Sequence, residues 1–375
     1  MEAVYNFEEI AKQFEFEGTF IKGEPYGHGH INSTFVLNFE TQTKGQRRYI
    51  LQKINDTVFK KPEKLMENIE NVTNHIRNKV IANGGDENKE VLTLIKVKNG
   101  EVFYKDPSGN YWRAYIFIEG ANTYQLVKNV EHFYSTGRAI GNFIECLDDF
   151  SAEQLYETIP DFHNTQKRYQ DFLAILKSDR KGRAKEIQKE IQFVLDREED
   201  TKVLTTLLEQ KKIPLRVTHN DTKFNNVMID DVTGEGVCII DLDTVMPGAI
   251  HYDFGDAIRS GAATAEEDET DLSKVGLNMQ LFENFAKGFI EATKGSLTEI
   301  EIEYLPFAAK LMTFECGMRF LSDYLDGDVY FKINKENHNL DRARNQFQLV
   351  EDIESKIEEM QEIVKKLKNQ KNNIL

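Results

Sequence analysis

The stretch Val217 to Asp256, VTHNDTKFNNVMIDDVTGEGVCIIDLDTVMPGAIHYDFGD, constrains the fold more than any other part of the chain. Two short apolar runs, Val227-Met228-Ile229 and Val237-Cys238-Ile239-Ile240, read as buried strands joined by the turn Asp231-Val232-Thr233-Gly234. Polar clusters stand at their edges: His219-Asn220-Asp221 with Asn226, then Asp241-Leu242-Asp243, then Tyr252-Asp253-Phe254-Gly255-Asp256. A hairpin edged in this way gathers carboxylates and a carboxamide into a small volume. Hard oxygen ligands so clustered suit a small divalent cation such as Mg²⁺.

With 375 residues the chain is long enough for two lobes, each burying its own core. A formal net charge of −16 argues against non-specific binding to nucleic acid, so an anionic substrate needs local cations or a metal. Cys146, Cys238 and Cys316 are odd in number and widely spaced, which fits neither a zinc pattern nor a disulfide framework but does fit a reducing cytosol. The segment MEAVYNFEEIAKQF is acidic and lacks the apolar core of a signal peptide, and no run approaches the ~18 apolar residues of a membrane span. A cytoplasmic location is the expectation.

Taken in order, Asn6 to Phe14 reads as a short amphipathic helix. Tyr26 to Ser33 is a glycine-rich turn between chain that leads in and the strand Thr34 to Phe39, and Tyr49 to Asn55 is the next strand. Gly27 and Gly29 can form a phosphate cradle, with Lys53 on the following strand supplying charge, although such glycine pairs also serve as plain hairpin turns. Pro62 to Ala82 is helical, and one of Glu63, Glu67 and Glu70 can pair with Lys53. Val91 to Val97, Val102 to Tyr104 and Tyr111 to Ile118 extend the sheet. Helices are then expected over Val130 to Phe150, Ala184 to Lys212 (with Glu198-Glu199-Asp200 as a possible interruption), Leu277 to Thr293, Thr298 to Leu325 and Phe347 to Leu367. The switch from β to helical sequence places a lobe boundary between residues 1–119 and 120–375. The fold expected is α+β and bilobal, a small antiparallel sheet lobe with a helix joined to a larger, mainly helical lobe. The terminal helix has an outer face that can pack on its own lobe or on another chain.

Phosphoryl transfer to a hydroxyl needs a carboxylate to take or orient the alcohol proton, a metal bridging the phosphates, and ligands that hold the metal without quenching it. The pattern H-x-D-x-x-x-x-N followed by an Asp at a strand end supplies these parts in the order used by protein kinases. Asp221 is then the catalytic base, Asn226 a metal ligand and Asp241 the principal metal ligand, with Lys53 on the α- and β-phosphates of ATP. Taken singly, His219-Asn220-Asp221 reads equally as an Asx-turn and Asp241 as a helix cap. His219 is expected to be a structural hydrogen-bonder. Asp253 and Asp256 are expected to bond the catalytic loop or cap the following helix, and Asp243 to be a supporting group or a further ligand.

The HNDTKFNNV, IIDLDTVMPG and YDFGDAIR segments together resemble the aminoglycoside phosphotransferase/choline kinase group. Within it, YGHGHINSTF, ILQKIN, IEGANTY, PDFHNTQKR and ECGMRFLSDYLDGDVYFK are similar to the bacterial N-acetylhexosamine 1-kinases. Two departures stand out: Asn220 occupies the second position of the loop, and the run after Asp241 lacks a Phe-Gly pair. The resemblance implies a bilobal kinase-like fold and ATP- and Mg²⁺-dependent phosphorylation of the anomeric hydroxyl of N-acetylglucosamine or N-acetylgalactosamine. It places adenine near Phe117, Ile118 and Gly120, and the sugar against His30 (with His28 its rival), Asp221, Arg319 and Tyr330. For Arg319 and Tyr330 the plainer roles are a salt bridge to Asp323 and a core aromatic. Kinases of choline, ethanolamine, homoserine or an aminoglycoside are the alternative.

Overall fold

A computed structural model describes residues 5–27, 31–42, 45–127 and 129–372 of the chain. The small lobe contains α1 (Phe7–Ala11), β1 (Thr19–Pro25), β2 (Ser33–Thr41), β3 (Gly45–Ile54), α2 (Pro62–Ala82), β4 (Tyr104–Lys105) and β5 (Tyr111–Ile116). Its five strands pair antiparallel in the order β1-β2-β3-β5-β4. Side-chain alternation gives the sheet two apolar faces. Phe35, Leu37, Phe39, Tyr49, Leu51, Trp112 and Ala114 face α1, whose Ile10 and Ala11 cover them. Ile54, Tyr111 and Tyr115 face α2.

Pro62 opens α2, where its missing N–H costs nothing, and Leu65, Met66, Ile69, Val72, Ile76 and Val80 then recur at helical spacing. The first four are fully buried, and each contributes about 1.5–3 kcal/mol relative to an exposed position. The helix spans the expected residues. The expected strands over 91–97 and 102–104 contract to the isolated bridges Phe14–Val97 and Leu94–Tyr115 and the two-residue β4. β1 was not foreseen.

The large lobe follows with β6 (Ala121–Asn122), α3 (Val130–Cys146), α4 (Thr165–Ser178), α5 (Gln188–Leu195), α6 (Val203–Glu209), β7 (Arg216–Thr218), β8 (Val227–Asp230), β9 (Gly236–Ile239), β10 (Met246–Gly248), α7 (Ile250–Gly261), α8 (Met279–Ala292), α9 (Glu299–Glu303), α10 (Leu305–Asp326) and α11 (His338–Asn372). The proposed lobe boundary at 119/120 falls between β5 and β6. The anticipated helix over 184–212 is broken into α5 and α6, with 3₁₀ turns at Ala184–Glu186 and Glu199–Lys202. The polar run at 196–200 offers no apolar face, and the bend lets Ile191, Val194, Leu204 and Leu207 share one core. The helix anticipated over 298–325 splits at Tyr304, because Pro306 cannot donate to a preceding turn and instead opens α10. α10 runs through the centre of the lobe, with most of its residues buried.

The chain's three cysteines are free thiols. Among the described residues no helix is long and apolar enough to cross a membrane.

Candidate active site

β7 and β10 pair antiparallel, and the loop leaving β7 turns sharply at Asn220, whose φ of 65° is left-handed. Asp253, buried in the first turn of α7, holds that turn by accepting from the amides of His219 (2.9 Å) and Asn220 (2.7 Å). Burial nevertheless pushes the Asp253 carboxyl up to about 6. The Asn220 side chain accepts from Thr218 Oγ1 and donates to Thr244 O, tying the loop to the Asp241 turn. His219 Nδ1 accepts from the Asp221 amide and Nε2 donates to Ile240 O, so both ring nitrogens are engaged in structure. His163 donates to Asn220 O from Nε2 and meets the buried Glu315 carboxylate through Nδ1 at 2.7 Å.

These bonds present Asp221 at the cleft. Asn226 Nδ2 donates to Asp221 O (2.8 Å) and reaches its Oδ2 at 3.3 Å, while Lys223 Nζ stands 3.0 Å from Oδ1. Burial opposes the charge on Asp221, but Lys223 and His219 outweigh it and hold the carboxyl below its ordinary value. The β8–β9 hairpin delivers Asp241 at the end of β9, with a φ of 62°. Asp241 is exposed, with the carboxylates of Asp243 and Asp221 near it. Desolvation by the protein around it, with the charges of Asp243 and Asp221, pushes its carboxyl up to about 6. Asp243 points the other way and is fully engaged, accepting from Arg113 and from Asn32 Nδ2. It therefore acts as a structural anchor. Asp256 lies inside α7 and pairs with Arg259 instead of capping the helix.

The small lobe contributes unevenly. Gly27 has a φ of +75° with open space around it, in the left-handed region that favours glycine. Gly29, His28 and His30 lie outside the described residues. Phe117 sits under the Arg48 guanidinium (3.7 Å) and against Tyr26 (5.5 Å between centroids); Ile118 is buried, and Gly120 has a φ of +67°. Lys53 is expected on the phosphates; the structure sets it on the opposite face of the sheet from Gln52. Its side chain turns to the α1 face and donates to Tyr5 Oη at 3.3 Å. The cause is the pleat: Lys53 shares the face of Tyr49 and Leu51 and lies opposite Trp112, while Gln52 takes the cleft side opposite Arg113. No α2 carboxylate pairs with Lys53 among the described residues: Glu63 accepts from Tyr111 Oη, Glu67 pairs with Lys64, and Glu70 with Lys96.

At the other end of the cleft, Arg319 is on α10 one turn beyond Glu315. It lies near the rings of Phe162 (5.6 Å), Phe331 (5.5 Å) and Tyr330 (5.9 Å). Asp323 is not its partner, because it accepts from the amides of Val329, Tyr330 and Phe331 and so fixes the turn that carries Tyr330. Tyr330 is 65% exposed and is no core aromatic. Arg168 donates to Phe162 O, and burial with the neighbouring Arg319 lowers its pKa. No carboxylate forms an ion pair with either arginine among the described residues.

Residues 22–281 match the Phosphotransferase enzyme family, more than half of the chain. The chain belongs to that family. Solved structures share its fold. The microcompartment-associated aminopropanol kinase aligns over 95% of this chain and 98% of its own, with a TM-score of 0.58 at 13% identity. An ethanolamine kinase from Plasmodium vivax covers 87% of this chain and 82% of its own, with a TM-score of 0.54 at 14% identity. An amicoumacin kinase in complex with AMP-PNP and Ca²⁺ covers 94% of both chains, with a TM-score of 0.55 at 12% identity. The architecture is thus the bilobal protein-kinase-like one expected.

The donor set of this phosphotransferase fits a Mg²⁺ ion that keeps several non-protein ligands. No group of three or more His, Cys, Asp and Glu side chains is set for a metal among the described residues. Asp241 and the Asn226 amide oxygen take no hydrogen bond from the protein there, and Mg²⁺ is commonly held by one or two protein ligands plus phosphates and water. Reading the sequence missed Lys223, Arg113, Arg168 and the His163–Glu315 support. Lys223 has a local signal, two residues after Asp221. His163, Arg168 and Glu315 lie in PDFHNTQKR and ECGMRFLSDYLDGDVYFK, segments that carry the resemblance but give no role to these residues, and Arg113 has no local signal.

Proposed function

We propose that this phosphotransferase moves the γ-phosphoryl group of ATP to the anomeric hydroxyl of an N-acetylhexosamine, giving the sugar 1-phosphate and ADP. Mg²⁺, when bound by Asp241 and Asn226, neutralises charge on the phosphates. Asp221 accepts the acceptor's proton, and Lys223 keeps that carboxyl ionised for the task. The anomeric hydroxyl is more acidic than an ordinary alcohol, so a carboxylate held low still serves as base.

One observation carries the choice of acceptor: Arg319 and Arg168 stand together beside Tyr330, and neither makes an ion pair with a carboxylate among the described residues, the nearby Glu315 being bonded instead to His163 and Thr165. Two guanidiniums and a phenol suit a neutral polyhydroxyl ligand and repel an ammonium. Choline, ethanolamine and aminoglycosides are therefore disfavoured, although kinases of aminopropanol and ethanolamine share the fold. ADP release is measured with ATP·Mg and a panel of N-acetylglucosamine, N-acetylgalactosamine, glucose, choline, ethanolamine, homoserine and an aminoglycoside. Turnover with the N-acetylhexosamines is expected; turnover confined to the amine-bearing compounds would overturn the reading.

A further inference from the structure

β3 turns its lysine away from the cleft and presents Gln52 in its place, yet the cleft side of this sheet is not without a cation. Directly across the β3–β5 ladder from Gln52 stands Arg113, 1% exposed. Its Nε donates to Gln52 Oε1 at 2.9 Å, and its Nη1 donates to Asp243. Gln52 in turn donates to Thr34 Oγ1 at 3.0 Å, which fixes its amide with the oxygen towards Arg113. The second oxygen of Asp243 accepts from Asn32, at the end of the glycine-rich turn, and Asn32 Oδ1 accepts from the Asn55 amide at 2.9 Å. Asp243 belongs to the same turn as Asp241, so two small-lobe side chains grip the large-lobe turn that carries the metal-facing carboxylate.

We propose that Arg113 and Asn32 together position Asp241 by holding Asp243. Arg113 is a positioning residue, buried behind the site. An arginine suits this place because its fork spans two acceptors at fixed angles, Gln52 and Asp243, which a lysine cannot do. The grip joins the lobes at the point where the phosphates of ATP would lie. Its loss frees the Asp241 turn and weakens the binding of ATP·Mg, and the acceptor end is left as it was.

The inference rests on the kinase reading, and the test separates the two. Calorimetry first asks whether the wild-type protein binds ATP·Mg. If it does not, the kinase reading fails and the inference with it. If it does, Arg113→Met is compared with it in steady-state kinetics. The KM for ATP and the half-saturating Mg²⁺ concentration are expected to rise about tenfold or more, with the acceptor KM within about twofold. Lys53→Met behaves as wild type. Wild-type ATP and Mg²⁺ dependence in Arg113→Met, or an equal rise in the acceptor KM, would overturn the proposal. Should Arg113→Met not fold, Arg113→Lys takes its place, since it keeps the charge but not the two-way bridge. A raised Mg²⁺ half-saturation in that variant supports the inference, and the wild-type value rejects it.

Discussion

His251 spends its one donor on Glu301 O at 2.9 Å, and its Nδ1 is buried without a partner. Burial lowers its pKa from 6.5 to about 4, because a second N–H there would have no acceptor. Above pH 6.5 the ring is neutral in both folded and unfolded chains. Between 6.5 and about 4 only the unfolded chain takes up the proton, so folding stability falls as the pH falls, by about 3 kcal/mol for this residue. Urea unfolding at pH 7 and pH 5 is expected to show a steeper loss in the wild type than in His251→Gln, and equal losses would contradict the assignment. The same scale shows what one residue's context hides. Lys53 is visible in the sequence as a strand lysine, but its face depends on strand register. Asp241 and Asn226 were paired in the expectation because the hairpin between them is local, and the Ile240 amide does bond Asn226 O at 2.9 Å. Arg113 and Asp243 are far apart in sequence, and only the folded sheet brings them together.

Helices α3 and α8 approach so closely that glycine is required on both. A Cβ at Gly137 would stand 2.3 Å from Phe285 O, and one at Gly288 would stand 2.3 Å from Tyr134 O. Gly137→Ala would gain about 1 kcal/mol in helix propensity, but forcing backbone apart costs about 1–3 kcal/mol. The variant is expected to unfold at lower temperature than the wild type; a higher melting temperature would show that the helices can part freely. Elements with a strong local signature were legible: α2 from its proline start and apolar stripe, and the β8–β9 hairpin from its turn. The break between α5 and α6 falls at Glu198-Glu199-Asp200, the interruption the acidic run suggested, while the shared core sets the direction of the bend. α4 has a mixed pattern, with Tyr169 and Phe172 buried among polar neighbours, and gave no clear periodicity.

Across the whole molecule, contacts between the two lobes lie at three places. Lys89 pairs with Asp230. Along α2, Asn68 bonds Tyr156 and Val245, and His75 and Lys79 meet Asp149. Arg113 and Asn32 meet Asp243, in the same turn as Asp241. Against a net charge of −16, the cations beside the Asp221 and Asp241 loops are held by partners: Lys223 pairs with Asp221 and Arg113 with Asp243. The bilobal arrangement could be read from sequence, because it depends on motifs and on the switch from β to helical sequence. Arg319 and Tyr330 entered through the resemblance, and only the fold sets Arg168 beside them. The most direct test follows the reaction with ATP·Mg and N-acetylglucosamine or N-acetylgalactosamine by ³¹P NMR, for the wild type and for Asp221→Ala. The wild type should give ADP and a phosphate coupled to the anomeric proton, with the Asp221→Ala rate down about a hundredfold or more in a folded protein. A phosphate on another hydroxyl, or equal rates in the two proteins, would contradict the account.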